Sequence, residues 1–166
     1  MIIHLNDLCK ISFYNNGIFC RYDILIKYMA VHEWHKYHNI NDLYWRMQFA
    51  KLWFHIKNNS NIHSSEYMNL IDSQKKRLTE KVDVVGDSTN YPFNAPIVVN
   101  DNYSLVDGSH RLAVLMYFRI TDVKVIVDDN AKIVKPFGKE WWLDQLFTEN
   151  EWKHIIDFCE VRGVMR

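Results

Sequence analysis

Four polar or charged side chains surround one glycine in the segment Asp107-Gly108-Ser109-His110-Arg111, which lies between two apolar runs. The preceding apolar residues predict a strand and the following ones predict a helix. The segment should therefore form a sharp strand-to-helix turn that uses glycine's access to positive φ. The first amides of a helix, here those of residues 109 to 112, lack intrahelical partners and attract anions. We predict that this turn binds a phosphate group.

Each side chain of the turn has a role that suits a phosphate site. Arg111 can form a bidentate contact, Ser109 can donate from its hydroxyl, and His110 can donate a hydrogen bond or carry a proton. Asp107 repels phosphate, which favours a role as a Mg²⁺ ligand or a general base. A structural alternative stays open, in which Asp107 caps the helix, His110 is packed in the core and Arg111 pairs with a surface carboxylate.

The elements that position this turn follow from the spacing of apolar residues. The predicted elements are two helices within residues 22–54, a helix from Ser65 to Leu78, a loop at 86–96, strands at 97–99, 103–106 and 123–127, and a helix at 112–118. A capping box at Thr148-Glu149-Asn150-Glu151 predicts the start of a final helix. The pattern predicts a single-domain α+β fold, with a helical extension over about 1–60, a core over 65–128 and a helical tail over 136–166 packed on the core.

The order of hairpin, V-D-G-S-H-R-L-A, helix and V-x-V-x-V strand resembles the ParB and sulfiredoxin-like superfamily over about residues 65 to 128. In this superfamily the strand-to-helix turn binds nucleotide phosphates, and free serine kinases carry a D-G-H-H-R form of it. The resemblance implies a mixed sheet with helices and a kinase that uses ATP or ADP with Mg²⁺. It implies catalytic roles for Asp107 and His110, with Asp107 holding the Mg²⁺. The implied phosphate-binding residues are Gly108, Ser109, His110 and Arg111.

Other branches of the superfamily match less well. Sulfiredoxins carry a cysteine where Ser109 stands, so this chain lacks the thiol for repair of sulfinic acids. The Glu-Arg pair of ParB proteins is missing, and no helix-turn-helix segment is recognisable in the sequence. Two further functions stay open beside the kinase: a non-enzymatic nucleotide-binding or DNA-associated module of ParB type, and a ParB-like nuclease.

A second resemblance concerns the N-terminal third of the chain. The segments R-Y-D at 21 to 23, A-V-H-E at 30 to 33 and L-Y-W-R-M-Q at 43 to 48 are similar to small bacterial proteins associated with capsule and lipopolysaccharide biosynthesis. This resemblance implies that the acceptor is a hydroxyl of a sugar or glycan, or of another small molecule. The implied acceptor-site residues are Arg21, Asp23, Glu33, Arg46 and Gln48.

Phosphoryl transfer requires positioning, charge neutralisation and a group that orients the attacking hydroxyl. The turn can supply the first two. Glu33 or Asp23 is the candidate for the third, which makes Glu33 a candidate catalytic base. A solvated position on a helix is the alternative for Glu33.

Composition restricts the class of protein. Twenty basic and twenty acidic residues cancel in a chain of 166, which disfavours nucleic acid as a partner. A hydrophobic content of 48% is enough for a folded core. Three widely spaced cysteines, no signal peptide and no long apolar segment predict a cytoplasmic protein without a membrane span. The sequence leaves the oligomeric state open.

Three other features have structural interpretations. The basic cluster Lys75-Lys76-Arg77 is interpreted as a solvated helix end. The histidine-rich segment 32–38 lacks the second histidine of an H-E-x-x-H zinc motif, because Lys36 stands there. The tryptophans of the tail, Trp141, Trp142 and Trp152, are expected to pack on the core.

Overall fold

The computed structural model describes residues 1–15, 18–19, 21–57, 64–86, 88, 90–131 and 147–164. The helices in this part of the chain are α1 (Leu5–Phe13), α2 (Tyr22–Tyr37), α3 (Asp42–Lys57), α4 (Ser64–Val85), α5 (Ser109–Phe118) and α6 (Glu149–Val161). The strands are β1 (Ile2–His4), β2 (Tyr14–Asn15), β3 (Ile18–Phe19), β4 (Ile97–Val99), β5 (Leu105–Asp107) and β6 (Asp122–Val127). The predicted α+β class is confirmed.

Four strands form a mixed sheet in the order β1-β6-β4-β5, while β2 and β3 pair as a separate ribbon. Strand β4 is parallel to β6 and antiparallel to β5, and β1 adds to β6 in antiparallel fashion. The N-terminal region thus contributes an edge strand as well as helices. The sequence did not indicate this strand, because an apolar run of three residues, Met1 to Ile3, is too short to carry a strand pattern.

Strand β5 begins two residues later than predicted, and the turn before it explains the delay. The side-chain oxygen of Asn100 accepts hydrogen bonds from the backbone N–H groups of Asn102, at 3.1 Å, and Ser104, at 2.8 Å. Tyr103 has a left-handed φ of 57° and cannot continue a strand. The turn therefore extends through Ser104, and the strand ends at Asp107, at the start of the motif.

Helix α2 lies at the centre of the molecule and packs against α3, α4, α5 and α6. Its residues 23 to 31 are all buried, so apolar side chains surround it on every face. Helices α2 and α3 form the predicted pair. Two charged residues, Asp23 and Lys27, are buried with the apolar ones, at 3% and 1% exposure. Buried charges require partners. Asp23 and Lys27 contact each other, and Lys27 also contacts Ser109 of the motif.

The C-terminal helix begins as predicted. The hydroxyl oxygen of Thr148 accepts from the N–H of Glu151 at 3.2 Å, and the carboxylate of Glu151 accepts from the N–H of Thr148 at 2.8 Å. Trp152 is buried and meets Tyr22 edge to face, with ring centroids 4.8 Å apart. The helix therefore packs on the core. Trp141 and Trp142 lie outside the described residues.

No helix in the described ranges combines the length and the apolar character that crossing a bilayer requires.

Candidate functional site

The motif forms the turn from β5 into α5. Gly108 is the residue before the helix and has a φ of +103°. The first intrahelical hydrogen bond runs from the N–H of Leu112 to the carbonyl oxygen of Gly108, at 2.8 Å. The three N–H groups that precede this bond belong to Ser109, His110 and Arg111. Three amides are therefore free at the helix start instead of the predicted four, because the amide of Leu112 already has a partner.

Gly108 is favoured by its φ and also by the crowding around its Cα atom. A Cβ atom at this position would lie 2.7 Å from Cδ1 of Ile97, and 3.1 Å from Nη2 and 3.2 Å from Nε of Arg111. The first distance is too short for any contact between carbon atoms. The turn therefore brings its backbone close to the side chains of Ile97 and Arg111, so an added Cβ would force these side-chain ends to move as well as strain the backbone.

The turn forms one wall of a cavity of about 390 Å³, and helices α2, α3 and α4 form the others. We call it the basic cavity, because its lining includes the basic side chains of Lys27, Lys51, Arg77, Lys81 and Arg111. Asp107 is the one acidic residue among the described residues that line it. Five basic side chains and the positive end of α5 therefore face a space with a single carboxylate at its edge.

Asp23 is the buried counter-charge behind this lining. Its carboxylate accepts two hydrogen bonds from Arg21, from Nε at 2.9 Å and from Nη2 at 3.1 Å. Oδ2 also lies 3.4 Å from Nζ of Lys27 and 3.3 Å from Nζ of Lys51. Burial alone would raise the pKa of Asp23, but the charges of Arg21, Lys51 and Lys27 outweigh it and hold the pKa well below its ordinary value. Asp23 is therefore ionised and holds Lys27 and Lys51 at the cavity.

Lys27 connects this ion cluster to the motif. Its Nζ lies 2.5 Å from the hydroxyl oxygen of Ser109. Burial, the charge of Lys51 and the charge of Arg21 lower the pKa of Lys27 well below its ordinary value, although Asp23 acts in the opposite direction. One carboxylate is shared by three cations, so the buried ammonium is only partly compensated. These surroundings therefore shift the Lys27 side chain toward its neutral amine.

His110 lies on the side of the cavity that faces the hydrophobic core. Its Nε2 lies 2.9 Å from the hydroxyl of Tyr44 and 3.2 Å from the amide nitrogen of Gln48. Burial, with the charges of Lys27 and Lys51, lowers the pKa of His110 well below its ordinary value. A neutral imidazole is therefore expected, held by two side chains of α3. His110 therefore packs against α3, as in the structural alternative, and it also lines the cavity.

Arg111 and Asp107 pair within the motif, with Nη2 of Arg111 2.8 Å from Oδ2 of Asp107. The side chain of Asp107 is 72% exposed and that of Arg111 only 13%. Nε of Arg111 is buried and has no hydrogen-bond partner among the described residues. Gly108, not Asp107, occupies the capping position, and it makes no side-chain cap. The carboxylate of Asp107 is thus accessible to solvent beside its ion pair, and Nε of Arg111 is a donor that could bind a ligand.

Two of the predicted acceptor-site residues lie away from the basic cavity. Both carboxylate oxygens of Glu33 accept from Asn41, from its N–H at 3.0 Å and from its side-chain amide at 2.5 Å. Arg46 pairs with Glu151 and Asp42 and joins α3 to α6. Neither residue lines the cavity, so the structure gives both of them roles in holding helices together.

The other three predicted acceptor-site residues lie at the cavity or directly behind it. Gln48 lines the cavity beside His110. Asp23 lies beneath the lining, and Arg21 holds it while also donating to the carbonyl oxygen of Leu105 at 3.3 Å. Arg21 and Asp23 thus support the site from behind.

Sequence reasoning missed Lys27, Lys51, Arg77 and Lys81. Arg77 belongs to the cluster that was interpreted as a solvated helix end, yet it lines the cavity with Lys81. A signal was available in the spacing, because Arg77 and Lys81 are four residues apart on one helix face, as Asp23 and Lys27 are on another. Such spacing identifies a shared face but not which space the face borders.

A second cavity, of about 300 Å³, lies between α1, the end of α5 and the end of α6. It contains no residue of the motif. Cys9 lines it, and burial raises the pKa of the Cys9 thiol to about 12, so the reactive thiolate is disfavoured. Among the described residues no group of three or more His, Cys, Asp or Glu side chains is arranged to hold a metal ion.

No protein-family model matches the chain, and searches of curated proteins and of solved structures find no match either. Functional inference therefore rests on the chemistry of the basic cavity.

Proposed function

We propose that the protein is a nucleotide-dependent phosphotransferase that binds nucleotide phosphates in the basic cavity and transfers a phosphoryl group to a hydroxyl. The observation that carries the proposal is the convergence of five basic side chains, four of them cationic beside the buried Lys27, and a helix N-terminus on one cavity of about 390 Å³. This charge arrangement suits a polyphosphate, because helix amides and Lys or Arg side chains are the usual phosphate ligands in proteins. The resemblance of the turn to ParB and sulfiredoxin-like kinases is consistent with it.

The phosphates would be bound from three sides. The amides of Ser109, His110 and Arg111 supply donors at the helix start, and the spare Nε donor of Arg111 lies next to them. Arg77 and Lys81 approach from α4, and Lys51 approaches from α3. These charges neutralise a developing negative charge in a space that is partly shielded from water.

Asp107 is the residue that would hold Mg²⁺. It is the acidic side chain of the described lining and is largely exposed, and a carboxylate oxygen is a ligand that Mg²⁺ prefers. Arg111, which now pairs with Asp107, would then turn its guanidinium toward phosphate. The bound ion would neutralise phosphate charge. The acceptor, a sugar, glycan or other small molecule, would enter beside Gln48.

A second candidate function is a non-enzymatic nucleotide-binding module of ParB type. It is favoured by one observation: the carboxylate of Glu33, which was the candidate base, is bound to Asn41 and does not line the cavity. Such a module would bind nucleotide without transferring phosphate to any hydroxyl. A ParB-like nuclease is less compatible with zero net charge.

Binding of ATP and ADP with Mg²⁺, measured by isothermal titration calorimetry, tests the proposal. Arg111→Ala should weaken binding roughly 10- to 100-fold, because a hydrogen bond to a charged group contributes about 1.5–3 kcal/mol. Lys153→Ala is the matched control, since it removes an exposed cation of α6 outside the cavity lining and should leave affinity unchanged. No binding by the unaltered protein, or equal binding by both variants, would overturn the proposal.

Turnover separates the two functions. Release of ADP from ATP, or of AMP from ADP, should accelerate when mixtures of sugars and other hydroxyl compounds are added to the phosphotransferase. Nucleotide binding without such acceleration for any acceptor would favour the non-enzymatic module.

A further inference from the structure

The Lys27 and Ser109 side chains form a pair that phosphate binding alone does not require. Lys27 is 1% exposed, and its Nζ lies 2.5 Å from Oγ of Ser109. Ser109 is half-buried and lines the basic cavity, so its hydroxyl lies between a buried amine and the space where phosphates would bind. The ammonium form of Lys27 donates to this hydroxyl, and its neutral form would accept the hydroxyl proton while the phosphate electrophile would lie on the other side.

We infer that Ser109 is the nucleophile of the transfer and that Lys27 is its general base. This inference rests on the proposed phosphotransferase function and deepens it, since the phosphoryl group would be carried by the enzyme between donor and acceptor. The geometry meets the first requirement for a nucleophile and its base, which is a heavy-atom separation within hydrogen-bond reach. It also meets the second, which is a base fixed by a third group, because Asp23 lies 3.4 Å from Nζ of Lys27.

The environment of Lys27 favours the neutral form that a base requires. Burial, Lys51 and Arg21 all lower the pKa of Lys27, and Asp23 is shared with those two cations. Lysine serves as a base when burial or a neighbouring cation depresses its pKa, whereas arginine stays protonated. Ser109 is therefore the hydroxyl that Lys27 can deprotonate.

The reaction would proceed in two balanced steps. In the first, Oγ of Ser109 attacks the terminal phosphorus of the donor nucleotide while its proton moves to Nζ of Lys27. The bond between that phosphorus and the bridging oxygen breaks, and its electron pair leaves with the shortened nucleotide. In the second, the acceptor hydroxyl attacks the phosphoserine and releases its own proton to solvent. The bond from phosphorus to Oγ breaks, and Lys27 returns its proton to Ser109.

The cavity is suited to the intermediate as well as to the donor. A phosphoserine at position 109 would carry about two negative charges at neutral pH. It would lie at the start of α5 beside the newly protonated Lys27, with Lys51, Arg77 and Lys81 also lining the space. Negative charge at a helix N-terminus is stabilised by the helix dipole. The same cations that bind a nucleotide would thus stabilise the phosphorylated enzyme.

Isotope exchange without an acceptor tests this inference. The protein is incubated with Mg²⁺, ATP and labelled ADP, and in parallel with ADP and labelled AMP. A phosphoenzyme returns its phosphoryl group to the labelled product, so label should enter the donor nucleotide. Mass spectrometry of peptides from the same sample should find phosphate on Ser109. Ser109→Ala should lose both signals, and Ser88→Ala, an exposed loop serine outside the cavity lining, should retain both.

Two variants of Lys27 show whether it acts as a general base or only supplies a positive charge. Lys27→Met removes both functions, whereas Lys27→Arg keeps the charge but has no accessible neutral form. Exchange should fall at least 100-fold in both, in line with the usual contribution of a general base. Circular dichroism and nucleotide titration show whether each variant is folded and binds.

The outcomes distinguish the inference from the function on which it rests. Nucleotide binding with neither exchange nor phosphoserine in the unaltered protein overturns the inference and leaves direct transfer to the acceptor in place. Exchange that persists in Ser109→Ala or in folded Lys27→Arg also overturns it. Absence of nucleotide binding overturns the inference and the proposed function together. Exchange and phosphoserine that depend on both residues support the inference.

Discussion

Nζ of Lys51, on α3, lies 3.3 Å from Oδ2 of Asp23, which is buried at the start of α2. The same carboxylate oxygen lies 3.4 Å from Nζ of Lys27 and accepts from Arg21. A single buried charge thus connects two helices and fixes two of the cations of the basic cavity. Asp23 therefore contributes both to the stability of the fold and to the placement of charge at the site.

Asp23→Asn should destabilise the protein strongly, by about 3–5 kcal/mol, because three cations would lose a buried counter-charge. Chemical unfolding at neutral pH measures the loss. Asp157→Asn is the matched control, since Asp157 forms an exposed ion pair with Lys153 within one helix, and little change is expected there. Equal stabilities for the two variants would show that Asp23 does not hold the cluster together.

Gly108→Ala should lower the free energy of unfolding by about 1–3 kcal/mol and should also weaken nucleotide binding. The reasons are a φ of +103° and a new Cβ atom 2.7 Å from Ile97. Gly86→Ala is the control for φ alone, since Gly86 has a φ of +47° with no atom within 4 Å of an added Cβ. Thermal unfolding of both variants separates strain from crowding, and a smaller effect at Gly108 than at Gly86 would contradict the close approach.

Arg77→Ala and Lys81→Ala should each weaken binding of ATP and of inorganic triphosphate roughly tenfold, because each removes a charge-assisted phosphate contact. Lys76→Ala is the control. Lys76 lies on the same helix, but it is exposed, pairs with Glu80 and does not line the cavity. It should retain affinity and should differ little in salt dependence from the unaltered protein. Equal losses for all three variants would indicate a diffuse surface charge instead of a defined cavity.

The stability of the protein should fall as the pH is lowered from about 6.5 to 5, and His110 should account for part of the slope. Its folded pKa is depressed, so between that value and the unfolded value of about 6.5 the unfolded chain binds one more proton. Stability therefore rises with pH in this window, by at most about 1.4 kcal/mol per unit. The groups that face His110 are Tyr44, Gln48, Lys27, Lys51, Lys81 and Asp23.

His110→Asn should reduce this slope, because asparagine does not titrate, while the depressed pKa values of Lys27 and His32 leave part of the slope in place. Urea unfolding at several pH values from 5 to 7 measures it. The ionised form of Asp23 stabilises the fold above the unfolded pKa of about 3.9, and this contribution is lost at lower pH, outside the window. An unchanged slope in the variant would show that His110 does not titrate as expected.

Glu33→Gln should leave nucleotide affinity and isotope exchange unchanged, because the carboxylate binds Asn41 and does not line the cavity. Its stability should fall by about 1 kcal/mol, as the hydrogen bonds to Asn41 lose their charged acceptor. Turnover assays beside unfolding curves measure both effects. A large loss of turnover in a folded variant would restore Glu33 as the catalytic base.

Local sequence was sufficient to locate the turn and most of the elements around it. The strand-to-helix motif, the pair α2 and α3, and the capping box at Thr148 depend on residues a few positions apart, so their patterns can be recognised without the fold. Element ends were less accessible. Helix α4 runs to Val85, beyond its predicted end at Leu78, and β5 starts late because the side chain of Asn100 extends the preceding turn.

The sequence by itself determined that a glycine turn with Ser109, His110 and Arg111 begins a helix, since both φ and capping are local properties. Only the tertiary structure decided which charges meet there. Lys27, Lys51 and the pair Arg77 and Lys81 come from three different helices, and their convergence depends on how those helices pack. The burial of Lys27 beside Ser109 is likewise a consequence of the enclosure of residues 23–31 of α2 on all faces. No local pattern encodes that enclosure, because it arises from the helices that cover it.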